Sequence, residues 1–144
     1  MNLFILQDSP IDINRARNSH QNPRNGAMVS FEGMVRGDLH KDSSVSSLLY
    51  IAENDQCIAE GEKILAEARA QFPITEAVCI QRIGQVASEE SAIWIGVWAA
   101  HRDEAYKASR YIIEEIKKRL KIWKKEFHSD GTSKWIHGAE TKTL

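Results

Sequence analysis

Apolar residues recur at two different periods along this chain, and the changes of period divide it into elements. Over residues 55–71 the apolar positions Ile58, Ile64, Leu65 and Ala68, with Phe72 and then Pro73 closing the run, fall at helical intervals and predict a helix. From Asp103 onward Ala105, Ala108, Ile112, Ile116 and Leu120 repeat at three- and four-residue spacing, predicting a second long helix. Other stretches alternate instead. Residues 92–100 place Trp94 and Trp98 on one side of a strand and Ile93, Ile95 and Val97 on the other.

Shorter apolar runs over 3–7, 27–36, 45–52 and 76–82 predict four further strands. The first stops at Asp8-Ser9-Pro10 and leads into a short helix over 11–17. Pro23 and the Asn25-Gly26 pair mark a loop over 18–26, and Gly84 marks a break. The polar stretch between Arg36 and Val45 has no period and predicts an exposed loop. Residues 122–128 and 134–137, around Ser129-Asp130-Gly131-Thr132, predict a C-terminal hairpin. Strands interleaved with two long helices and ending in a hairpin indicate an α+β fold with a mixed, largely antiparallel sheet. At 144 residues the expectation is a single domain over 1–144, with no internal repeat or linker.

Composition narrows the function classes. With 42% hydrophobic and 27% charged residues and a formal net charge of -1, the chain reads as an ordinary globular protein, without the basic balance of a general nucleic-acid binder. Cys57 and Cys79 have no metal-ligand spacing, and no metal or cofactor site is expected. They read as small buried hydrophobes in a reducing compartment. The N-terminal residues lack the basic start of a signal sequence and no apolar run approaches a membrane span, so the expectation is a soluble cytoplasmic protein.

Against this neutral background, Lys117 to Lys125 reads Lys-Lys-Arg-Leu-Lys-Ile-Trp-Lys-Lys, six cations in nine residues. Cations in the last turns of a helix are favoured by its dipole, so a solvated helix end explains the run without any function. A helix continued to Lys124 would instead place Lys117 and Lys124 about two turns apart on one side, where flexible side chains converge on one ligand. Lysine suits proton transfer and oxyanion stabilisation because its pKa drops readily on burial. His101-Arg102 stands where a strand ends and a helix begins, a position at which backbone N–H groups attract anions. The competing reading is a helix cap beside a solvated arginine.

Gly33-Met34-Val35-Arg36, Arg82-Ile83-Gly84, Ala100-His101-Arg102, Lys117, and Trp123-Lys124-Lys125-Glu126 occur in that order. This ordered set, over about residues 26–135, resembles the large, catalytic subunit of molybdopterin synthase. The resemblance implies an enzyme that moves two sulfurs into a cyclic pyranopterin monophosphate, forming the dithiolene of molybdopterin. The implied donor is a thiocarboxylate on the C-terminal Gly-Gly of a small ubiquitin-like subunit. It also implies a homodimer within a heterotetramer, some site residues crossing between copies. Carried over by motif, Lys117 and Lys124 are the catalytic lysines, while Arg36, His101, Arg102, Lys125 and Glu126 line the pterin and phosphate pocket.

The chain departs from the family pattern in places. Lys121 stands where members commonly have proline, and Leu49 and Ile51 replace acidic residues. Ala139 or Glu140 stands where some members carry a basic residue. Two other readings follow from the same residues. One is a phosphate- or nucleic-acid-binding module built on the basic run, with strongly salt-dependent affinity. The other is a catalytically inactive homologue that acts as a scaffold.

Overall fold

The computed structural model describes residues 3–40 and 43–136. Among them, chain order gives β1 Phe4–Gln7, α1 Ile13–Arg17, β2 Ala27–Met34, β3 Leu39–His40, β4 Ser43–Ala52 and α2 Asn54–Gln71. There follow β5 Ile74–Arg82, β6 Gly84–Ala87, β7 Ser91–Ala99, α3 Arg102–Arg119, β8 Ile122–His128 and β9 Ser133–Ile136. The strands form two sheets. The first runs β1-β5-β7-β2, antiparallel except for the parallel β1–β5 pair. The second is antiparallel and runs β3-β4-β8-β9, with β6 also pairing β4.

Helices α2 and α3 lie side by side on one face of the first sheet, α2 over β1 and β5, α3 over β7 and β2. Periodicity explains that arrangement: Ile64, Leu65 and Ala68 on α2, and Ala105, Ala108, Ile112 and Ile116 on α3, are the buried positions of each helix. On β7 both faces are apolar because both are covered, and Ala92 to Ala99 are buried throughout. Gly61 of α2 permits a close approach to β1, since a Cβ there would sit 2.0 Å from the Phe4 ring. A second, smaller core between the sheets comprises Val35, Val45, Leu48, Tyr50, Val86, Ala92 and Ile136. Ile122 touches both cores.

The α+β class, the two long helices and the C-terminal hairpin agree with the sequence pattern. Four details differ. The strands divide into two sheets, because β7 is consumed by neighbours on both edges and β4 collects its own. The Gly84 break begins a strand: Gly84 takes φ 82°, turning the chain so that β6 pairs with β4. Within the expected loop after Arg36, β3 pairs with the start of β4. Most consequential, the helix does not continue to Lys124 as one reading of the basic run supposed: α3 ends at Arg119, where Leu120 adopts extended φ -79° and ψ 135°, and the expected strand over 122–128 is β8. The basic run is therefore half helix and half strand, and Lys124 lies on β8. The expected end of the hairpin at His137, and positions 139–140, lie outside the described residues. No helix among the described residues is long and apolar enough to cross a membrane.

Candidate active site

The reversal from α3 into β8 brings Lys124 back towards the helix end that carries Lys117. Strand pairing sets the facing: Tyr50 opposes Lys124 and Leu48 opposes Glu126, so these four side chains share one face of the second sheet. That face looks across a cavity of about 750 Å³ towards the first sheet, whose wall is Phe31 and Gly33 of β2, Gln81 of β5 and Ile93 of β7. Lys117 enters from the last turn of α3, and Arg36 and Asp38 stand on the segment after β2.

Lys124 is 9% exposed, with its ammonium position 5.5 Å from the centre of the Tyr50 ring. Burial is the main reason its pKa falls from 10.5 to about 7; the charge of Lys117 and a hydrogen bond with that side chain lower it further. The lysine therefore exchanges a proton readily near neutral pH. Tyr50 is held the other way, its pKa pushed up to about 12 by burial, so it remains a neutral hydroxyl. Gln81 is fixed by Nε2 donating to the backbone carbonyls of Arg82 at 2.9 Å and Ala92 at 3.2 Å. Behind Glu126, His128 places Nε2 3.3 Å from Glu126 Oε1. Arg36 is exposed and paired with Asp38 at 3.0 Å.

Four of the residues singled out by sequence thus meet in one cavity: Lys117, Lys124, Arg36 and Glu126. Lys125 does not join them. Successive strand residues face opposite ways, and Lys125 stands on the outer face of β8, 5.6 Å from the Phe127 ring and 5.5 Å from the Trp135 ring. His101 and Arg102 are also elsewhere in the single chain. They open α3 and line a separate recess of about 610 Å³ with Gly26, Ala27 and Tyr106. Fifteen residues of helix separate Arg102 from Lys117, about 22 Å along the axis. His101 precedes the helix without making a side-chain cap.

Two further cations of the basic run are engaged by carboxylates on α2 and α3. Lys118 reaches Glu115 at 3.5 Å, and Arg119 is held by Glu60, Glu67 and Glu115. With these two paired and Lys117 and Lys124 turned into the cavity, the run does not present its six charges together, and the nucleic-acid reading is not supported. Cys57 and Cys79 are buried free thiols, and burial pushes both thiols up, so neither is a ready nucleophile. The sequence reading missed Tyr50, Leu48 and Gln81. Tyr50 and Leu48 were visible as the inward positions of an alternating strand, and Gln81 as the polar residue that interrupts the apolar run of β5.

A cavity between two sheets, closed by a buried lysine held against a second lysine, has the makeup of an active site on an α+β enzyme fold. The comparisons specify which. The MoaE protein family matches residues 6–119, and the chain belongs to that family. It is 38% identical over 128 residues to the molybdopterin synthase catalytic subunit of Thermoplasma volcanium, covering 88% of this chain and 90% of that one. Identity to the corresponding subunit of Pyrococcus abyssi is 40% over 113 residues, covering 78% and 75%. Among solved structures, molybdopterin synthase from Staphylococcus aureus superposes with a TM-score of 0.87 at 34% identity, over 95% of this chain and 98% of that one. The activity shared by these relatives is the sulfurtransferase reaction of molybdenum cofactor biosynthesis.

Proposed function

We propose that the cavity between the two sheets is where sulfur passes from the thiocarboxylated C-terminus of a small ubiquitin-like subunit to cyclic pyranopterin monophosphate. The observation that carries this reading is the Lys117–Lys124 pair: two like charges kept together, one of them buried, with no carboxylate within ion-pair distance of either among the described residues. Such a pair is costly in an empty protein and favourable once an anion enters. Both expected reactants are anions, a thiocarboxylate and a phosphate.

Each residue then has a part. Lys117 holds the positive charge against the incoming anion, and stabilises the negative oxygen that develops when the carrier's acyl group is released to water. Lys124, with a pKa of about 7, takes up or returns the proton that this release requires. Arg36, whose guanidinium is exposed beside the cavity, offers a planar fork for phosphate at the cost of its contact with Asp38. Glu126 accepts hydrogen bonds from the pterin, and Tyr50 donates one.

His101 and Arg102 are too far away to serve the same cavity within one copy. We infer that they serve the cavity of a second copy in a homodimer, each dimer carrying a small subunit at either end. Lys125, on the outer face of β8, serves the pocket only if a second chain closes over that face. The compartment expected for this chemistry is the cytoplasm.

The test is reconstitution: the purified chain, a thiocarboxylated small subunit and the cyclic pterin, with dithiolene product as the readout. Product is expected, and its absence with an authentic donor ends the reading. Mixing Lys124→Ala and Arg102→Ala copies checks the dimer. Complementation is expected, because a mixed dimer regenerates one site with both residues intact; mixtures no better than either variant place both residues in the same copy's site.

A further inference from the structure

We propose that Gln56, which lies outside the cavity, is a positioning residue for the lysine pair: its side-chain amide ties the α3–β8 turn to helix α2 and so fixes Lys117 relative to Lys124. The inference rests on the proposed use of that pair.

The turn is short. Lys117 lies two residues before Arg119, the last residue of α3, and Lys124 lies two residues after Ile122, the first of β8. Whatever holds residues 119–121 therefore sets how the two side chains meet. Gln56 holds them at two points. Its Nε2 donates to the Arg119 carbonyl at 3.0 Å, and its Oε1 accepts from the Lys121 N–H at 2.9 Å. The carbonyl belongs to the last turn of a helix and has no partner within it, so the first bond answers a group that the helix leaves open. Only one orientation of the amide satisfies both bonds, which gives the clamp a defined geometry.

Neighbouring atoms of α2 reinforce it. The Lys121 carbonyl accepts from the Glu53 N–H at 3.0 Å and from the Cys57 thiol at 3.3 Å. The first turn of α2 thus grips the turn on both sides of Leu120. Among these contacts the Gln56 pair alone is made through a side-chain amide, so a substitution removes it without breaking the backbone of α2. Gln56 is absent from the cavity lining, so its effect on turnover passes through the lysines.

Gln56→Met keeps the length and helix preference of the side chain and removes both bonds. Two readouts follow it. The first is NMR titration of the Lys124 side chain, which needs neither substrate nor partner. Charged or titratable groups sharing its cavity are Lys117, Arg36, Tyr50, Glu32, Asp38 and Glu126. In the parent chain the midpoint is expected at about 7. Loosening the turn moves Lys124 away from Lys117 and admits water, so the midpoint rises, by about half a unit or more. The second readout is kinetic. Misplacement of a reacting group costs rate rather than binding, so kcat is expected to fall about tenfold with KM changed less than about twofold.

Arg69→Ala, which breaks the ion pair of α2 with Glu76 at the other end of that helix, is the control for lost stability alone. It is expected to leave the Lys124 midpoint and kcat in place. A Gln56→Met protein with parental midpoint and kcat overturns the proposal, as does an Arg69→Ala protein showing the same changes. Should Gln56→Met fail to fold, Gln56→Glu keeps the bond from Lys121 and loses the one to Arg119. It is expected to show a smaller shift of the same sign, and no shift overturns the proposal. If the parent chain makes no product yet the midpoint moves, the sulfur-transfer reading fails and the clamp stands.

Discussion

Two cations of the same basic run, Lys124 and Arg119, meet opposite fates five residues apart in sequence. Arg119, on the outer seam between α2 and α3, is surrounded by Glu60, Glu67 and Glu115, with Glu67 also accepting from Tyr111. Those hydrogen bonds raise its pKa further and, with Tyr111, lower that of Glu67 to about 2. Lys124 is buried against Lys117 and a tyrosine ring, and its pKa falls. Charges that serve only the fold are matched by opposite charges nearby. The fold leaves Lys124 unmatched, which is sensible if the matching charge arrives with the substrate.

Removing the unmatched charges is the strongest way to break this contrast. Lys117→Ala and Lys124→Ala are each expected to cut turnover by about 10²- to 10⁴-fold in the reconstituted assay. Cys79→Ala should leave it within about twofold if, as proposed, the sulfur is imported rather than carried on a thiol of this chain. A cysteine variant as damaging as a lysine variant would contradict the assignment.

The pH profile separates burial from repulsion as the origin of the low pKa. A limb near pH 7 in kcat is expected from Lys124. Lys117→Met removes the neighbouring charge and should move the limb upward while leaving it below 10.5, since burial remains the larger cause. A limb that does not move assigns the titration to another group.

Stability should respond in the opposite sense to activity. Because the folded-state pKa of Lys124 lies below its ordinary value, the cost of burying the charge is fully present below about pH 7 and disappears as pH rises towards 10.5. Lys124→Met is therefore expected to be inactive yet more stable, by about 0.5–2 kcal/mol at pH 6, with the gain shrinking in alkaline solution. Denaturant melts at pH 6 and pH 10 measure it, and a variant less stable at pH 6 would show that the lysine is already matched.

The smallest effect belongs to the outer seam. Glu67→Gln should leave turnover unchanged and lower the melting temperature slightly at neutral pH. Glu67 has a depressed folded-state pKa, so its contribution is present above about pH 4.5 and is lost as pH falls towards 2. Variant and parent melts should converge there; a gap that persists at pH 2 would locate the effect outside the ion pairs.

How much of this was legible in the sequence depends on the distance over which each feature is decided. The two long helices and the strand over β7 are local patterns of apolar spacing, and they were readable directly. Strand β6 was not, because only Val86 of its four residues is buried and its pairing with β4 is decided by Gly84 and by a distant partner. The cations at 117–121 carry no signal for where the helix stops. The stop is set by Gln56 and Glu53 gripping the turn, contacts 63 or more residues away in sequence. Lys117, Lys124, Arg36 and Glu126 could be singled out through family resemblance, but charge alone did not tell Lys124 from Lys125. That distinction belongs to the strand register, which turns one inward and its neighbour outward.

The antiparallel register of β4 with β8 also bears on how the molecule is made. Tyr50 and Lys124 stand 74 residues apart in sequence, so the wall they share closes only after the whole segment between them has left the ribosome. Pairings so distant in sequence tend to form late and slowly. The late event strips water from an amine, and it is less costly when that amine has already lost its proton. Refolding should accordingly quicken as the solution is made mildly alkaline, so that the group proposed for catalysis also sets the tempo at which its own cavity is assembled.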